Sequence, residues 1–156
     1  MINSMNKWMQ IAYNEATSGM LSDEGGPFGA VIIKNGKIIA SAHNEVLKTK
    51  DSTAHAEMNA IRKACKKLDS FDLSGCELYT TCQPCPMCLG AIFWARISTV
   101  YYGATEDDAS RGGFDDKRFY EMMRGENSDL SLTQIDQEIN AKLFDRWLEK
   151  TNRCLY

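Results

Sequence analysis

The sequence predicts an α/β protein, built as a three-layer α/β/α sandwich around one mixed five-stranded sheet. Two observations carry this prediction: short apolar, β-branched runs alternate with segments of helical periodicity, and a hairpin turn joins the first two runs. The chain has 156 residues, of which 44% are hydrophobic and 25% are charged, as in globular proteins with one substantial core. We therefore expect a single domain over residues 1–156.

The first half of the chain predicts a helix followed by a β-hairpin. The segment Gly25-Gly26-Pro27 ends the first helical pattern, and Asn35-Gly36 is a strong turn signal between two strands. The expected elements are a helix over residues 4–18, strands over residues 28–34 and 37–42, and a loop over residues 45–52.

The second half predicts helices that alternate with strands, so these strands should be parallel. Thr53 is a candidate helix cap, and Pro84 and Pro86 suit the entry to a helix, because proline is tolerated in a first turn. The expected elements are a helix from about His55, a strand over residues 77–81, a helix over 84–94, a strand over 99–103, a loop over 105–116, a helix over 117–124, an edge strand over 131–135 and a final helix from 136.

Two short segments carry the residue types that hold zinc. His55 and Glu57 lie two residues apart in the first segment, and Cys85 and Cys88 form a Cys-x-x-Cys in the second. Imidazole and thiolate are preferred zinc ligands, and three protein ligands leave a fourth position for water. A hydrolytic site also needs a proton carrier beside the metal, which Glu57 supplies. His-x-Glu followed by Pro-Cys-x-x-Cys is a known signature of zinc-dependent base deaminases.

A closed zinc knuckle or a redox dithiol is the alternative interpretation of the cysteines. A knuckle requires a fourth Cys or His at ligand spacing, and Cys82 is the nearby candidate. The carboxylate of Glu57 favours the catalytic interpretation, in which Cys82 is a packed thiol beside the site. Because residues 1–13 lack the apolar core of a signal peptide, we expect reduced thiols and a cytoplasmic protein.

The two motif segments belong to a longer set of segments, which are Gly26-Pro27-Phe28-Gly29-Ala30-Val31, Asn44, Ala54-His55-Ala56-Glu57, Pro84-Cys85-Pro86-Met87-Cys88, Trp94-Ala95-Arg96 and Gly113-Phe114-Asp115-Asp116. Together these segments resemble the guanine deaminases of the cytidine deaminase-like fold. The resemblance implies hydrolysis of guanine to xanthine and ammonia, with one zinc ion per subunit, in a homodimer that exchanges residues of about 131–156 between subunits.

The resemblance also implies the roles of individual residues. His55, Cys85 and Cys88 match the metal ligands, and Glu57 matches the proton carrier. Asn44 and the backbone of Ala56 match groups that bind the base, Asp116 matches a carboxylate that contacts its amine edge and assists proton transfer, and Tyr156 matches an aromatic residue that reaches the partner's active site.

Several of these residues also have a purely structural interpretation. Asn44 follows the outgoing strand, where its amide could bond local backbone. One carboxylate of Asp115 and Asp116 is expected to cap the next helix, while the other accepts from the N–H donors of guanine. The aromatic candidates, which either stack on the base or pack in the core, are Phe28, Trp94 and Phe114.

Two other functions share the zinc motif. A tRNA adenosine deaminase, or another nucleobase deaminase, has the same site, but a tRNA enzyme needs a basic rim, which the net charge of −3 and the Asp115-Asp116 pair disfavour. A non-catalytic zinc module would have no use for Glu57. No segment has the apolar length of a membrane span. We therefore expect a small purine substrate, and neither a nucleic acid nor a membrane as a partner.

Overall fold

The computed structural model describes residues 4–126 and 130–156, and it confirms the α/β fold with one mixed sheet. Residues 1–3 and 127–129, which belong to the predicted single domain, lie outside the described residues. The elements are α1 Lys7–Leu21, β1 Gly29–Lys34, β2 Lys37–His43, α2 Val46–Thr49, α3 Ala56–Leu68, β3 Cys76–Cys82, α4 Pro86–Trp94, β4 Thr99–Ala104, α5 Glu106–Arg111, α6 Asp116–Met123 and α7 Gln137–Glu149.

The sheet has four strands in the order β2-β1-β3-β4. Strand β1 pairs antiparallel with both β2 and β3, whereas β3 and β4 are parallel. The predicted hairpin is confirmed, and its turn residues Asn35 and Gly36 both have positive φ angles, as a tight two-residue hairpin requires. The predicted parallel pairing of the later strands is also confirmed.

The predicted fifth strand over residues 131–135 is wrong. These residues form no strand and are all exposed; the side chain of Leu132 is 88% exposed. A strand forms only where a neighbouring edge pairs with its N–H and C=O groups, and apolar residues alone do not provide that edge. Among the described residues the sheet therefore ends at β4 on this side.

Two polar segments that were expected to be loops contain short helices, α2 and α5. Helix α5 begins with a capping box, in which Thr105 and Asp108 each accept a hydrogen bond from the other's backbone N–H. Thr53 does not cap α3, because its N–H and hydroxyl both donate to Asp51; His55 occupies the cap position instead.

Helices cover both faces of the sheet, which gives the predicted three layers. Strand β1 is buried on both faces, and successive residues alternate between two apolar clusters. Val31 and Ile33 pack with residues of α1, whereas Ala30 and Ile32 pack with residues of α3 and α4. None of the helices that the structure describes is both long and apolar enough to cross a membrane.

Candidate functional site

The candidate site lies where the start of β1 meets the ends of β2 and β3. Register brings these points together: Gly29 faces His43, and its N–H donates to the hydroxyl of Thr81 at 3.1 Å. Helices α3 and α4 begin beside this edge, with His55 and Cys85 as their respective N-cap residues. The positive end of each helix dipole therefore points to the same place and favours anionic ligands there.

The three predicted metal ligands come together at these two helix starts. Nδ1 of His55 lies 3.6 Å from Sγ of Cys85 and 3.5 Å from Sγ of Cys88, and the three atoms lie within 4.8 Å of one another. A tetrahedral zinc ion with Zn–S bonds of about 2.3 Å and Zn–N bonds of about 2.0–2.1 Å needs a sulfur-to-nitrogen separation of roughly 3.5 Å. The arrangement therefore fits zinc without a rearrangement of the backbone.

The environment of Cys85 favours a thiolate, whereas the hydrogen bond with Cys85 and burial raise the pKa of Cys88. A hydrogen bond from the thiol of Cys88 is the largest cause that lowers the pKa of Cys85, and the neighbouring imidazole of His55 lowers it further against the effect of burial. A thiolate is the form of cysteine that binds a metal. Cys85 is thus prepared to receive a cation.

Glu57 lies beside the ligands and is only 5% exposed. Its Oε1 accepts a hydrogen bond from the hydroxyl of Thr80 at 3.0 Å, and its Oε2 lies 3.5 Å from Sγ of Cys88. Burial is the main cause that raises the pKa of Glu57. A buried carboxyl group beside a candidate metal site is suited to general acid–base catalysis.

A cavity of about 370 Å³ opens onto this centre. That volume is near the lower end of the range of roughly 300–1,000 Å³ that small-molecule sites occupy. The functional side chains that line it include Asn44, His55, Glu57, Cys85 and Asp116. The cavity therefore connects the candidate metal site to polar groups that can recognise a small ligand.

Of the two groups expected to bind the base, Asn44 lines the cavity, whereas Ala56 is not among the described lining residues. Asn44 is buried and lines the cavity, while its Oδ1 accepts a hydrogen bond from the N–H of Val46 at 3.0 Å. The structural interpretation, a local backbone bond, thus holds for one end of the amide. Ala56 is the first residue of α3, where backbone N–H groups have no acceptor within their own helix.

Asp115 and Asp116 both line the cavity, but they differ in burial. The side chain of Asp115 is 71% exposed, and it makes no capping hydrogen bond although it occupies the N-cap position of α6. Asp116 is half-buried, and burial is the main cause that raises its pKa. The expected side-chain cap is therefore wrong for Asp115, and Asp116 is the more enclosed carboxyl group.

The aromatic candidates separate into two groups. Phe28 and Phe114 line the cavity and form an edge-to-face pair, with ring centroids 4.8 Å apart and planes at 83°. Trp94 is not among the described lining residues; it packs with Tyr156, whose ring centroid is 5.9 Å away. Tyr156 therefore lies outside the cavity of its own chain, and its contact with a partner's site stays a prediction.

Thr80 was not predicted as a site residue, whereas Cys82 was expected to be a packed thiol beside the site. Thr80 is buried near the end of β3, two residues before Cys82, and that position was the available signal. Cys82 lines the cavity, its thiol lies 3.7 Å from the carbonyl oxygen of Thr105, and burial raises its pKa to about 12. Cys82 is not part of the described group of three ligand atoms that lie within 4.8 Å of one another, and its role as a packed thiol stays a prediction.

The chain is similar to known deaminases in both sequence and structure. The family model for the cytidine and deoxycytidylate deaminase zinc-binding region matches residues 2–104. A guanine deaminase of Bacillus subtilis (strain 168) is 44% identical over 151 residues, which cover 96% of this chain and 97% of that protein. The X-ray structure of guanine deaminase from Bacillus subtilis superposes with a TM-score of 0.92 at 44% identity and covers 97% of this chain and 99% of that one. A tRNA-specific adenosine deaminase of Aquifex aeolicus (strain VF5) is 45% identical over 106 residues, which cover 68% of each protein.

Proposed function

The chain belongs to the cytidine and deoxycytidylate deaminase family, and on that basis we propose that it is a guanine deaminase, which hydrolyses guanine to xanthine and ammonia. The observation that carries the proposal is a buried carboxyl group, Glu57, beside three zinc-binding side chains at a cavity of small-molecule size. A non-catalytic zinc module requires neither that carboxyl group nor that cavity.

His55, Cys85 and Cys88 would hold one zinc ion per subunit. The sulfur-to-nitrogen distances of 3.5 and 3.6 Å support this assignment, because they match a tetrahedral ion. When bound, zinc supplies Lewis-acid activation of a water molecule, so that hydroxide is available near neutral pH.

Glu57 would move the protons of the reaction. It takes a proton from the attacking water and gives it to a ring nitrogen as the amino-bearing carbon becomes tetrahedral. It then takes the remaining proton of the newly bonded hydroxyl and gives it to the leaving amine, as the carbon–oxygen double bond forms. The hydroxyl of Thr80 holds Oε1 of Glu57, which leaves Oε2 as the mobile end of the relay. The bond from carbon to the amino nitrogen breaks, and ammonia leaves.

The base would be held by groups that match its donors and acceptors. Since Oδ1 of Asn44 already accepts from Val46, the amide has its NH₂ group to offer an acceptor of the base. The carboxyl group of Asp116 would accept from the amine edge and assist proton transfer, with Asp115 at the rim. Phe28 would contact a face of the ring, and the first N–H group of α3, at Ala56, would donate to the base.

The alternative of a tRNA adenosine deaminase has one observation in its favour, the similarity to tRNA-specific enzymes. That similarity ends after about two thirds of each protein, whereas the similarity to guanine deaminase continues over nearly the whole of both chains. The negative net charge also disfavours a polyanionic substrate.

An ammonia-release assay across guanine, guanosine, adenine, cytosine and tRNA tests the proposal. Guanine should be the preferred substrate, with xanthine formed in equal amount to ammonia. Preferential release of ammonia from tRNA would support the alternative, and no release from any of them would overturn the assignment of a deaminase.

We further propose a homodimer in which residues of about 131–156 are exchanged. Helix α7 supports this, because its apolar side chains pack on little of their own chain and remain exposed. These side chains are Ile139, Leu143, Phe144 and Leu148. An apolar face of this kind marks a protein–protein interface, and a second copy of the chain is the occupant that the resemblance implies. A cytoplasmic location is also proposed, since all six cysteines are free and a reducing compartment keeps thiols reduced.

A complementation experiment tests the exchange directly. One subunit carries Glu57→Gln with an intact tail, and the other is truncated before Lys150 with an intact Glu57. If Tyr156 serves the partner's site, co-expressed mixed dimers contain one complete site and regain activity that neither parent has. Mixed dimers that stay inactive, or a monomer in light scattering, would contradict the exchange.

A further inference from the structure

The imidazole of His43 lies between two carboxylates, directly before Asn44. Its Nδ1 is 2.7 Å from Oε2 of Glu15, and its Nε2 is 2.5 Å from Oε2 of Glu24. Both ring nitrogens can donate to carboxylates only when the ring carries two protons. The geometry therefore corresponds to an imidazolium ion held in one orientation by two ion pairs.

This cluster is enclosed by the surrounding chain. The side chain of His43 is 18% exposed, and those of Glu15 and Glu24 are 26% and 24% exposed. The ring of His43 packs directly on α1 at Gly19, where an added Cβ atom would lie only 2.4 Å from Cδ2 of His43. The hydroxyl of Ser41 fixes the other oxygen of Glu15 at 2.9 Å. The ring therefore has little freedom to turn away from either carboxylate.

Glu24 connects the ring to the wall of the cavity. Its Oε1 accepts from Nζ of Lys48 at 3.2 Å, and its backbone carbonyl accepts the N–H groups of Leu47 and Lys48. The next residue, Gly25, lines the cavity and packs so closely on Asn44 that an added Cβ atom would lie 2.1 Å from Oδ1. A movement of Glu24 would therefore displace both Gly25 and Asn44.

We propose that protonated His43 is a positioning group that holds Asn44 and the backbone at Gly25 in the base-binding arrangement. The affinity for substrate therefore falls when His43 loses its proton. The inference rests on the proposed function, because it takes Asn44 as a group that binds the base. His43 is not among the described residues that line the cavity, so it acts through Asn44 and Glu24 rather than on the substrate.

The sign of the pH dependence follows from the two ion pairs. Burial alone lowers the pKa of His43, but the hydrogen bonds with Glu24 and Glu15 outweigh it and raise the pKa above its usual value. With a raised pKa, both ion pairs are complete at lower pH and one is lost as the pH rises through that pKa. The KM for guanine should therefore be constant at pH values below the pKa of His43 and should rise at pH values above that pKa. The polar and charged groups around this cluster on the surrounding elements are Glu15, Glu24, Ser41, Glu45, Lys48, Asn59 and Lys63.

The test measures kcat and KM for guanine against pH in the intact enzyme and in two variants. His43→Gln is neutral at every pH, so its KM should be roughly three- to tenfold higher at low pH, the range expected for one positioning hydrogen bond, with kcat little changed. As the pH increases, the KM of this variant should show only the rise that ionisation of guanine causes in every variant. The additional rise that depends on His43 should be absent.

Glu15→Gln provides a second, independent variant, because Glu15 contacts His43 from α1 and is not among the described residues that line the cavity. Removing this carboxylate lowers the proton affinity of His43, so the rise in KM should begin at lower pH. As a matched control, Glu126→Gln removes one carboxylate from an exposed ion pair with Arg124, whose atoms are 2.7 Å apart, and should leave the profile unchanged.

Two results would overturn the inference while leaving the proposed function intact. One is a KM ratio between His43→Gln and the intact enzyme that stays at one at every pH. The other is a Glu15→Gln profile that coincides with that of the intact enzyme, which decides the matter even if the His43 variant fails to fold. If the intact enzyme releases no ammonia from guanine, the proposed function itself fails and this inference fails with it.

Discussion

Replacing Glu57 by glutamine removes the proposed proton carrier while preserving the shape of the site. Glu57 is buried, and its Oε1 accepts a hydrogen bond from Thr80 at 3.0 Å. A glutamine side chain has nearly the same volume, and its amide oxygen can accept the same bond. The substitution therefore removes the ability to accept and release a proton and changes little else.

The size of the effect follows from the role of the group. General acid–base catalysis by one side chain contributes about 10²–10⁴-fold, or about 3–5 kcal/mol at roughly 1.4 kcal/mol per tenfold. Because Glu57 both takes the proton from water and returns it to the leaving amine, we expect the upper part of this range, with kcat lowered about 10³–10⁴-fold. The free energy of unfolding should fall by no more than about 1 kcal/mol, since the buried hydrogen bond is kept.

The assay combines ammonia release from guanine, zinc content and thermal unfolding on the same preparation. Glu77→Gln is a matched control, because Glu77 lies on the same strand as Thr80 and is not among the described residues that line the cavity. Turnover within tenfold of the intact enzyme, in a Glu57→Gln protein that keeps its zinc, would refute the proton-carrier role.

Three further substitutions or deletions test the remaining parts of the site. Cys88→Ala should release zinc and lower the unfolding temperature, because it removes a ligand from a fully buried position; full metal retention would show that Cys88 is not a ligand. Asp116→Asn should raise the KM for guanine about tenfold or more at unchanged zinc content, since the amide presents a donor where the base also donates; an unaltered KM would remove Asp116 from base binding. Truncation before Lys150 should lower kcat/KM for guanine more than it lowers the unfolding temperature, and an equally active truncated enzyme would exclude a role for Tyr156.

The elements that sequence patterns predicted are those fixed by local chemistry. Asn35-Gly36 specifies a tight turn by itself, and α3 and α7 carry enough helical periodicity to be recognised from sequence alone. The six-residue helix α5 was missed because its capping box lies in a polar segment that otherwise resembles a loop. The strand expected over residues 131–135 depended on a partner edge elsewhere in the chain, which local composition does not reveal.

The residues of the site also divide into those that local sequence identifies and those that depend on contacts with distant parts of the chain. His55, Cys85 and Cys88 could be identified because each lies at a fixed position in a short motif that begins a helix. Thr80 and His43 could not be assigned roles, because their contacts depend on the register of strands and on the packing of α1 across the sheet. Such contacts join residues that are 23 and 28 positions apart in the chain.

The most direct test of the account is to measure zinc content and guanine turnover together, before and after the metal is removed by a chelator and restored. We expect about one zinc ion per chain, formation of xanthine and ammonia in equal amounts, loss of turnover when the metal is removed, and recovery of turnover when zinc is returned. Full turnover of guanine by protein that contains no metal would contradict it.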